Sequence, residues 1–149
     1  VAIAYETLND RQILDIPSDK LQTDGFLFIW VINAKYRFAL EMMEKFGYKL
    51  VDEIAWVKQT VNGKIAKGHG YYLQHAKETC LIGVKGDVSK RARFNIETDV
   101  IFSQRRGQSQ KPEEIYDIAE AMVPNGCYLE IFGRRNNLHN GWVTIGNEL

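Results

Sequence analysis

An apolar run near the start of the chain reads Phe26-Leu27-Phe28-Ile29-Trp30-Val31. A strand with one face in solvent alternates apolar and polar residues, and this run does not alternate. It therefore predicts a strand that is buried on both faces, as in a parallel sheet covered by helices. Even with Ile32 included, the run is far shorter than the roughly 20 residues that a membrane-spanning helix needs.

Helix and strand patterns alternate on both sides of this run. Residues 34–46 carry an apolar helix face formed by Ala39, Met42, Met43 and Phe46, and Gly47 supplies the stop. A second helix is predicted after Pro112, and a short one ends near residue 15. Further strands are predicted at residues 51–57, 79–84, 100–102, 127–132 and 142–145. The alternation predicts one domain, residues 1–149, with a three-layer α/β fold.

The composition excludes few classes of function. Lys+Arg and Asp+Glu number 19 each, so the net charge gives no indication of a nucleic-acid partner. Basic residues nevertheless gather at residues 58–67, 85–93, 105–111 and 134–135, and a neutral chain can still present a basic face. Cys80 and Cys127 both lie in apolar stretches, which predicts buried free thiols in a reducing compartment. Because the chain has no Cys-x-x-Cys pair and its histidines are scattered, no metal site is predicted.

Polar residues follow two predicted strands at their carboxyl ends, where open α/β sheets bind ligands. These groups are Gly133-Arg134-Arg135-Asn136-Asn137 and Gly146-Asn147-Glu148. An Asn side chain both donates and accepts, an Arg is a fixed cation, and a carboxylate such as Glu148 can accept hydrogen bonds from both hydroxyls of a ribose. Asn and Gly also dominate turns that bind nothing, so both interpretations stay open at this point.

A basic loop, residues 105–111, precedes the helix that is predicted after Pro112. Its cations Arg105, Arg106 and Lys111 would suit a phosphate or a carboxylate, together with the free N–H groups of the helix N-terminus. A solvated loop without a ligand is the alternative. The sequence contains no Gly-x-Gly-x-x-Gly motif and no P-loop, and no Ser-His-Asp or Cys-His arrangement emerges.

Several segments carry a further signal when they are taken together and in order. They are Tyr5-Glu6-Thr7-Leu8 and residues 24–31, 47–48, 52–58, 77–86, 111–116, 130–134 and 141–147. In that order they resemble the MT-A type N6-adenine methyltransferases, a family that includes mRNA and DNA adenine methyltransferases of eukaryotes. The resemblance covers nearly the whole chain. It implies a Rossmann-like methyltransferase fold with permuted motif order, S-adenosylmethionine as cofactor, methyl transfer to the N6 amine of adenine in nucleic acid, and a nuclear location.

The resemblance also implies roles for individual residues. It places cofactor contacts at Lys111, Arg134, Asn136, Asn137, Asn147 and Glu148. It places the acceptor adenine and the nucleic acid at Tyr5, Glu78, Arg105 and Arg106. Asn136, Glu148 and residues 70–75 differ from the mRNA enzyme, which tilts the expected substrate slightly toward DNA.

The resemblance also implies a catalytic signature that this chain does not contain. The family's Asp-Pro-Pro-Trp signature should stand a few residues before Tyr5, and the chain has no Pro-Pro pair. The Val1 start and the closely matched downstream segments favour a truncated catalytic domain over a non-catalytic paralogue that acts as a nucleic-acid-binding scaffold.

Residues 59–74 join two strands and carry several glycines, together with more apolar and aromatic residues than a solvated loop needs. They are expected to contact a paralogous non-catalytic subunit, with a substrate lid as the alternative.

Overall fold

In a computed structural model of the chain, the described residues are 10–15, 20–107 and 110–146. Their elements are α1 (Asp10–Leu14), β1 (Gly25–Val31), α2 (Tyr36–Lys45), β2 (Lys49–Gln59), β3 (Lys77–Lys85), β4 (Val100–Gln104), α3 (Glu114–Met122), β5 (Tyr128–Ile131) and β6 (Trp142–Ile145), with short 3-10 turns at Asn33–Lys35 and Arg135–Asn137. Every helix and strand that the sequence predicted is present, with ends shifted by a few residues.

The strands form two sheets. The larger has the order β1-β3-β2-β4, and the smaller pairs β5 with β6. Strand β3 is antiparallel to both β1 and β2, whereas β4 lies parallel to β2 and β6 parallel to β5. The prediction that β1 is a parallel strand is wrong for its described partner, because an apolar run reports burial and not the direction of a neighbouring strand. The run is also only half-buried along most of its length.

A helix packs on each face of the larger sheet. Alternate residues of β3 point to opposite faces, as the pleat requires. Leu81 therefore packs with α2 residues such as Met43. Cys80 and Ile82 pack on the other face, in a cluster that includes α3 residues such as Ile115. Truncating a side chain as buried as Met43 to Ala costs roughly 2–5 kcal/mol, so contacts of this kind stabilise the packing of the helices on the sheet.

The two cysteines differ in environment. Cys80 is fully buried, and burial raises the pKa of its thiol to about 12. Cys127 is exposed, so the prediction that it is buried is wrong. It lies in the turn between α3 and β5, one residue before the first paired strand position, where apolar neighbours in sequence do not enclose it. Among the described residues, the helices are too short and too polar to span a bilayer.

Candidate functional site

Three charged side chains from three segments meet at one end of the larger sheet. Glu78 stands near the start of β3, opposite Trp56 of β2, and Lys58 lies two residues further along β2. Lys58 Nζ is 2.8 Å from Glu78 Oε2, and Lys111 Nζ reaches the other carboxylate oxygen, Oε1, at 2.5 Å. Lys111 comes from the loop that precedes α3. Each carboxylate oxygen of Glu78 therefore contacts a different lysine, and the three residues are far apart in sequence.

Two tryptophans lie beneath these charges. Lys58 Nζ is 5.3 Å from the ring centre of Trp56, and Lys111 Nζ is 5.6 Å from that of Trp30. The two rings meet edge to face with their centres 6.0 Å apart. Cations are attracted to aromatic faces, and an apolar floor strengthens nearby ion pairs. Burial acts to raise the pKa of Glu78, but the hydrogen bonds and charges of the two lysines outweigh it and hold the pKa below its ordinary value.

The loop before α3 is held by its own hydrogen bonds. Arg106 donates to the backbone oxygen of Lys111 at 3.0 Å and lies 3.5 Å from a carboxylate oxygen of Glu113. The Gly107 amide donates to Gln110 Oε1 at 2.8 Å, and Gln110 Nε2 donates to the backbone oxygen of Asn136 at 2.9 Å. These bonds fix the position of Lys111 and connect the loop to the turn Arg135–Asn137.

The turn that follows β5 is anchored from several sides. Asn137 is buried, and its backbone oxygen accepts a hydrogen bond of 2.9 Å from the Tyr116 hydroxyl. The Gly133 amide donates to the Ile145 oxygen at 2.9 Å, and a side chain on Gly133 would collide with Thr144. Phe132 has a φ of 66° and an exposed ring. A non-glycine residue in this region is strained, and such strain is concentrated at functional sites.

The structure brings together most of the residues that the sequence nominated. Glu78 contacts Lys111, and the loop of Lys111 is bonded to the turn that carries Asn136 and Asn137. Arg134 is half-buried at the start of this turn, Asn136 is exposed, and Arg105 is exposed at the end of β4. Arg106 faces Lys111 and Glu113, so its contact with phosphate stays a prediction. Tyr5, Asn147 and Glu148 lie outside the described residues, as do Gln108 and Ser109 of the basic loop.

Sequence reasoning missed three residues of this arrangement, Lys58, Gln110 and Tyr116. Lys58 was counted as part of a basic stretch, and no spacing rule relates it to Glu78. Tyr116 stands beside the apolar stripe of α3, so a helical wheel assigns it to the core and gives no role to its hydroxyl. The one sequence signal that could have been used is the position of Gln110, a polar residue two positions before Pro112 at a helix start, where polar side chains often satisfy backbone groups.

The loop between β2 and β3 is anchored at its base and apolar at its surface. Antiparallel bridges join Gln59 to Ile65 and Gly68 to His75. Tyr71 and Tyr72 are 97% and 98% exposed, and the other exposed apolar side chains are Val61, Ile65 and Leu73. The tyrosines are therefore not core residues. An ordered backbone that presents this much apolar surface is typical of an interaction site.

One group of side chains among the described residues has the composition of a metal site. Asp117, Glu120 and His139 place one ligand atom each within 4.8 Å of one another. Glu120 Oε1 also accepts a hydrogen bond from Trp142 Nε1 at 2.9 Å and lies 3.4 Å from His139 Nε2. These contacts satisfy the Glu120 carboxylate without a metal ion. The group shares no residue with the Glu78 cluster.

The donor set fits a zwitterionic cofactor with a ribose. Lys111 is a cation for a carboxylate and Arg134 a donor for a ribose oxygen, and Asn137 is held at the carboxyl end of β5, where parallel strands leave room for a ligand. Within the described residues, Ser103 Oγ and Thr144 Oγ1 are buried without a hydrogen-bond partner. Ser103 lines a groove of about 400 Å³, together with Gln59, Gln104, Arg106 and Pro112. The Ser103 hydroxyl itself is buried, so the polar lining of the groove comes from the other side chains.

Comparison with known proteins gives consistent matches. The MT-A70 family model matches residues 2–148. An Arabidopsis thaliana protein named N(6)-adenosine-methyltransferase MT-A70-like is 39% identical over 149 residues, which are 99% of this chain and 22% of that protein. The N(6)-adenosine-methyltransferase catalytic subunit METTL3 of Homo sapiens is 39% identical over 151 residues, 99% of this chain and 26% of that protein. The non-catalytic subunit METTL14 of Drosophila melanogaster is 30% identical over 142 residues, 84% of this chain and 34% of that protein.

Proposed function

Because the chain belongs to the MT-A70 family, we propose that it is part of the catalytic domain of a methyltransferase that modifies the N6 amine of adenosine in RNA. The observation that carries this proposal is the contact between Lys111, expected on the cofactor side, and Glu78, expected on the acceptor side. The chain spans about a quarter of the length of the relatives named as adenosine methyltransferases, so the activity is proposed for the longer protein.

S-adenosylmethionine is the proposed cofactor, and when bound it supplies a methyl group that is activated on a sulfonium. Lys111 and Asn137 hold its methionine part, while Arg134, Asn147 and Glu148 hold the ribose side. Asn136 lies at the exposed edge of the same turn. The parallel pair of β5 and β6, with polar residues after both carboxyl ends, supports a Rossmann-like fold. The permuted motif order is proposed from membership of the family.

The acceptor amine is a poor nucleophile, because its lone pair is delocalised into the adenine ring. An adenine edge offers donor hydrogens on N6 beside an acceptor ring nitrogen. The Glu78 carboxylate can accept from the amine, while Lys111, which pairs with Glu78, stays on the cofactor side. Tyr5 is assigned to the same pocket. Holding the amine in line with the methyl group supplies most of the acceleration, without a covalent intermediate.

RNA is proposed as the substrate in place of DNA. The tilt toward DNA expected from Asn136, Glu148 and residues 70–75 has no support among these relatives, whose names specify adenosine.

Arg105 and the groove beside Ser103 and Gln104 are the proposed contacts with the nucleic-acid backbone. A single-stranded substrate avoids the few kcal/mol needed to unstack a base from a duplex. We also propose a nuclear location, where such an RNA would be met.

A paralogous non-catalytic subunit is the proposed partner, bound by residues 59–74. The exposed Tyr71 and Tyr72 on a fixed backbone support this assignment, because tyrosines are enriched among the anchors of interfaces.

The second candidate function is that this chain is itself the non-catalytic scaffold, and its similarity to a METTL14 protein favours that candidate. The higher identity to a METTL3 catalytic subunit favours the enzyme.

Calorimetric titration of S-adenosylmethionine into the full-length protein separates the two candidates. The enzyme binds the cofactor saturably, and Arg134→Ala weakens binding by roughly 1–3 kcal/mol through lost hydrogen bonds to a polar ligand. Arg135→Ala, the exposed neighbour in the same turn, serves as the matched control and keeps the wild-type affinity. A folded wild-type protein that binds no S-adenosylmethionine would support the scaffold and contradict the enzyme.

A further inference from the structure

We propose that Tyr116 and Glu130 are positioning residues, which hold the turn 134–137 in the conformation that the cofactor requires. Neither residue is among those expected to touch the cofactor. The inference rests on the proposed function, since it concerns the same site, and it adds the part of the molecule that keeps Arg134 and Asn137 in place.

The Tyr116 hydroxyl joins three elements. Tyr116 belongs to α3, Glu130 to β5 and Asn137 to the turn that follows β5. The hydroxyl lies 2.5 Å from Glu130 Oε2 and 2.9 Å from the backbone oxygen of Asn137. These partners are 14 and 21 positions away in sequence. The contact is therefore a tertiary one, made by the fold and not by a local turn.

The ring of Tyr116 cannot swing away from this position. Its side chain is buried, it stacks on His139 at 4.6 Å with an interplanar angle of 12°, and Trp142 meets it edge to face at 4.9 Å. Because the ring is packed on two sides, its hydroxyl is held in one position. There it contacts the backbone oxygen of Asn137, whose own side chain is buried beside the candidate cofactor site.

The hydrogen count explains the presence of Glu130. A hydroxyl has one hydrogen and two lone pairs. An ionised Glu130 competes with the Asn137 oxygen for that hydrogen, whereas a protonated Glu130 donates to the hydroxyl and leaves the hydrogen to Asn137. Burial raises the pKa of Glu130, against smaller opposing effects of the Tyr116 hydrogen bond and the His139 charge, so this carboxyl takes up a proton more readily than an exposed glutamate does. In either form Glu130 contacts the Tyr116 hydroxyl, and its protonation decides how the single hydrogen is shared with Asn137.

Other hydrogen bonds also hold the backbone of the turn. Gln110 Nε2 donates to the backbone oxygen of Asn136, and the Asn137 amide donates to the Arg134 oxygen within the turn. Asn136 and Arg135 are exposed. Without the Tyr116 bond, the Asn137 backbone oxygen would be buried without its partner, which costs more free energy than the loss of an exposed hydrogen bond. The backbone that carries Arg134 and Asn137 would also lose one of its anchors.

The test compares two Tyr→Phe variants in the full-length protein. Tyr116→Phe keeps the packed ring and removes the hydroxyl. Tyr128→Phe removes a hydroxyl that also joins a turn, since Tyr128 donates to Val123 and accepts from Gly126, but that turn lies between α3 and β5, away from the turn 134–137. We expect S-adenosylmethionine to bind about tenfold more weakly to Tyr116→Phe, the effect of one lost buried hydrogen bond. Tyr128→Phe should bind it like the wild type, and the KM for RNA should change in neither.

Substitution of Glu130 supplies the readout that a purely structural role would not give. In Glu130→Gln the amide can donate to the Tyr116 hydroxyl, so S-adenosylmethionine affinity should stay near the wild-type value. In Glu130→Ala the hydroxyl loses its contact with β5 altogether, and affinity should fall. Equal affinity in wild type and folded Tyr116→Phe would overturn the inference, as would equal losses in both Tyr→Phe variants. If the wild-type protein binds no S-adenosylmethionine, the proposed function fails first, and this inference falls with it.

Discussion

Lys111 Nζ lies 2.5 Å from Glu78 Oε1, and this contact joins the two halves of the proposed site. Lys111 is connected through Gln110 to the turn that carries the cofactor residues. Glu78 stands near the start of β3, beside Lys58 and above the paired tryptophans. One side chain therefore links the proposed position of the acceptor base to the proposed position of the methyl donor.

Removing this link should harm activity more than removing the other lysine. Lys111→Met keeps the length and the packing of the side chain but loses its charge, and we expect kcat/KM for methyl transfer to fall by about 10- to 100-fold, the usual loss for a hydrogen bond to a charged group. Lys58→Met is the matched control, because it leaves the Lys111 contact intact, and it should lose less. Steady-state kinetics of the two variants measures the difference. Equal losses would show that Lys111 has no special position.

The lowered pKa of Glu78 predicts how stability depends on acid. As pH falls below the ordinary glutamate value of 4.5, the unfolded chain takes up the proton before the folded one does. The stability that the Lys58–Glu78–Lys111 cluster contributes is thus present above that pH and lost below it. In Glu78→Gln, the melting temperature should be lower at neutral pH but should fall less steeply below pH 4.5. Glu44→Gln, an exposed position on α2, should keep the wild-type slope, and an unchanged slope in Glu78→Gln would contradict the account.

The two arginines of the basic loop should have separable effects. Arg105 is exposed at the end of β4, whereas Arg106 donates to the Lys111 backbone. Arg105→Ala should weaken RNA binding similarly for all sequences and reduce the slope of log affinity against log salt by about 1. Arg106→Ala should weaken RNA binding, as a predicted phosphate contact, and should also weaken S-adenosylmethionine binding, through the displaced Lys111. Fluorescence anisotropy with labelled RNA, repeated at several salt concentrations, measures the first effect and calorimetry the second.

The loop of residues 59–74 should be needed for assembly and not for cofactor binding. Changing Ile65 and Tyr71 to Asp puts charges into the proposed contact, and co-purification with the paralogous subunit should be lost. S-adenosylmethionine should still bind. Leu21→Asp, at another exposed apolar position, is the control that should leave the complex intact. If the complex of the loop variant persists while its turnover falls, the loop is a substrate lid.

The sequence predicted the elements of the fold well and their arrangement poorly. Apolar runs and helix stops placed β1, α2 and α3, because side-chain periodicity reports secondary structure directly. Strand direction is set by how the connections cross the sheet, and for this reason the apolar pattern of β1 was misread as parallel. The exposure of Cys127 was missed because a turn can follow a helix without any change in hydrophobicity.

The candidate site was predictable in its charged residues and not in its supporting ones. Lys111, Glu78 and the turn 134–137 were nominated through a resemblance that covers them in order. Lys58 and Tyr116 were not, because their roles depend on strand register and on contacts between distant elements. Such contacts do not leave a local pattern, and only the folded chain shows that the Tyr116 hydroxyl reaches the Asn137 oxygen.

The measurement that tests the central claim most directly is the position of the methyl group in the product. The full-length protein, purified with its partner, is incubated with S-adenosylmethionine carrying an isotopically labelled methyl group and with an adenosine-containing RNA, and the nucleosides are separated by mass spectrometry. The account predicts label on the N6 amine of adenosine, none in a matched RNA with inosine at the adenosine positions, and a large loss of label in Glu78→Ala. Label at another base or another atom, or no label from a protein that binds both S-adenosylmethionine and RNA, would contradict it.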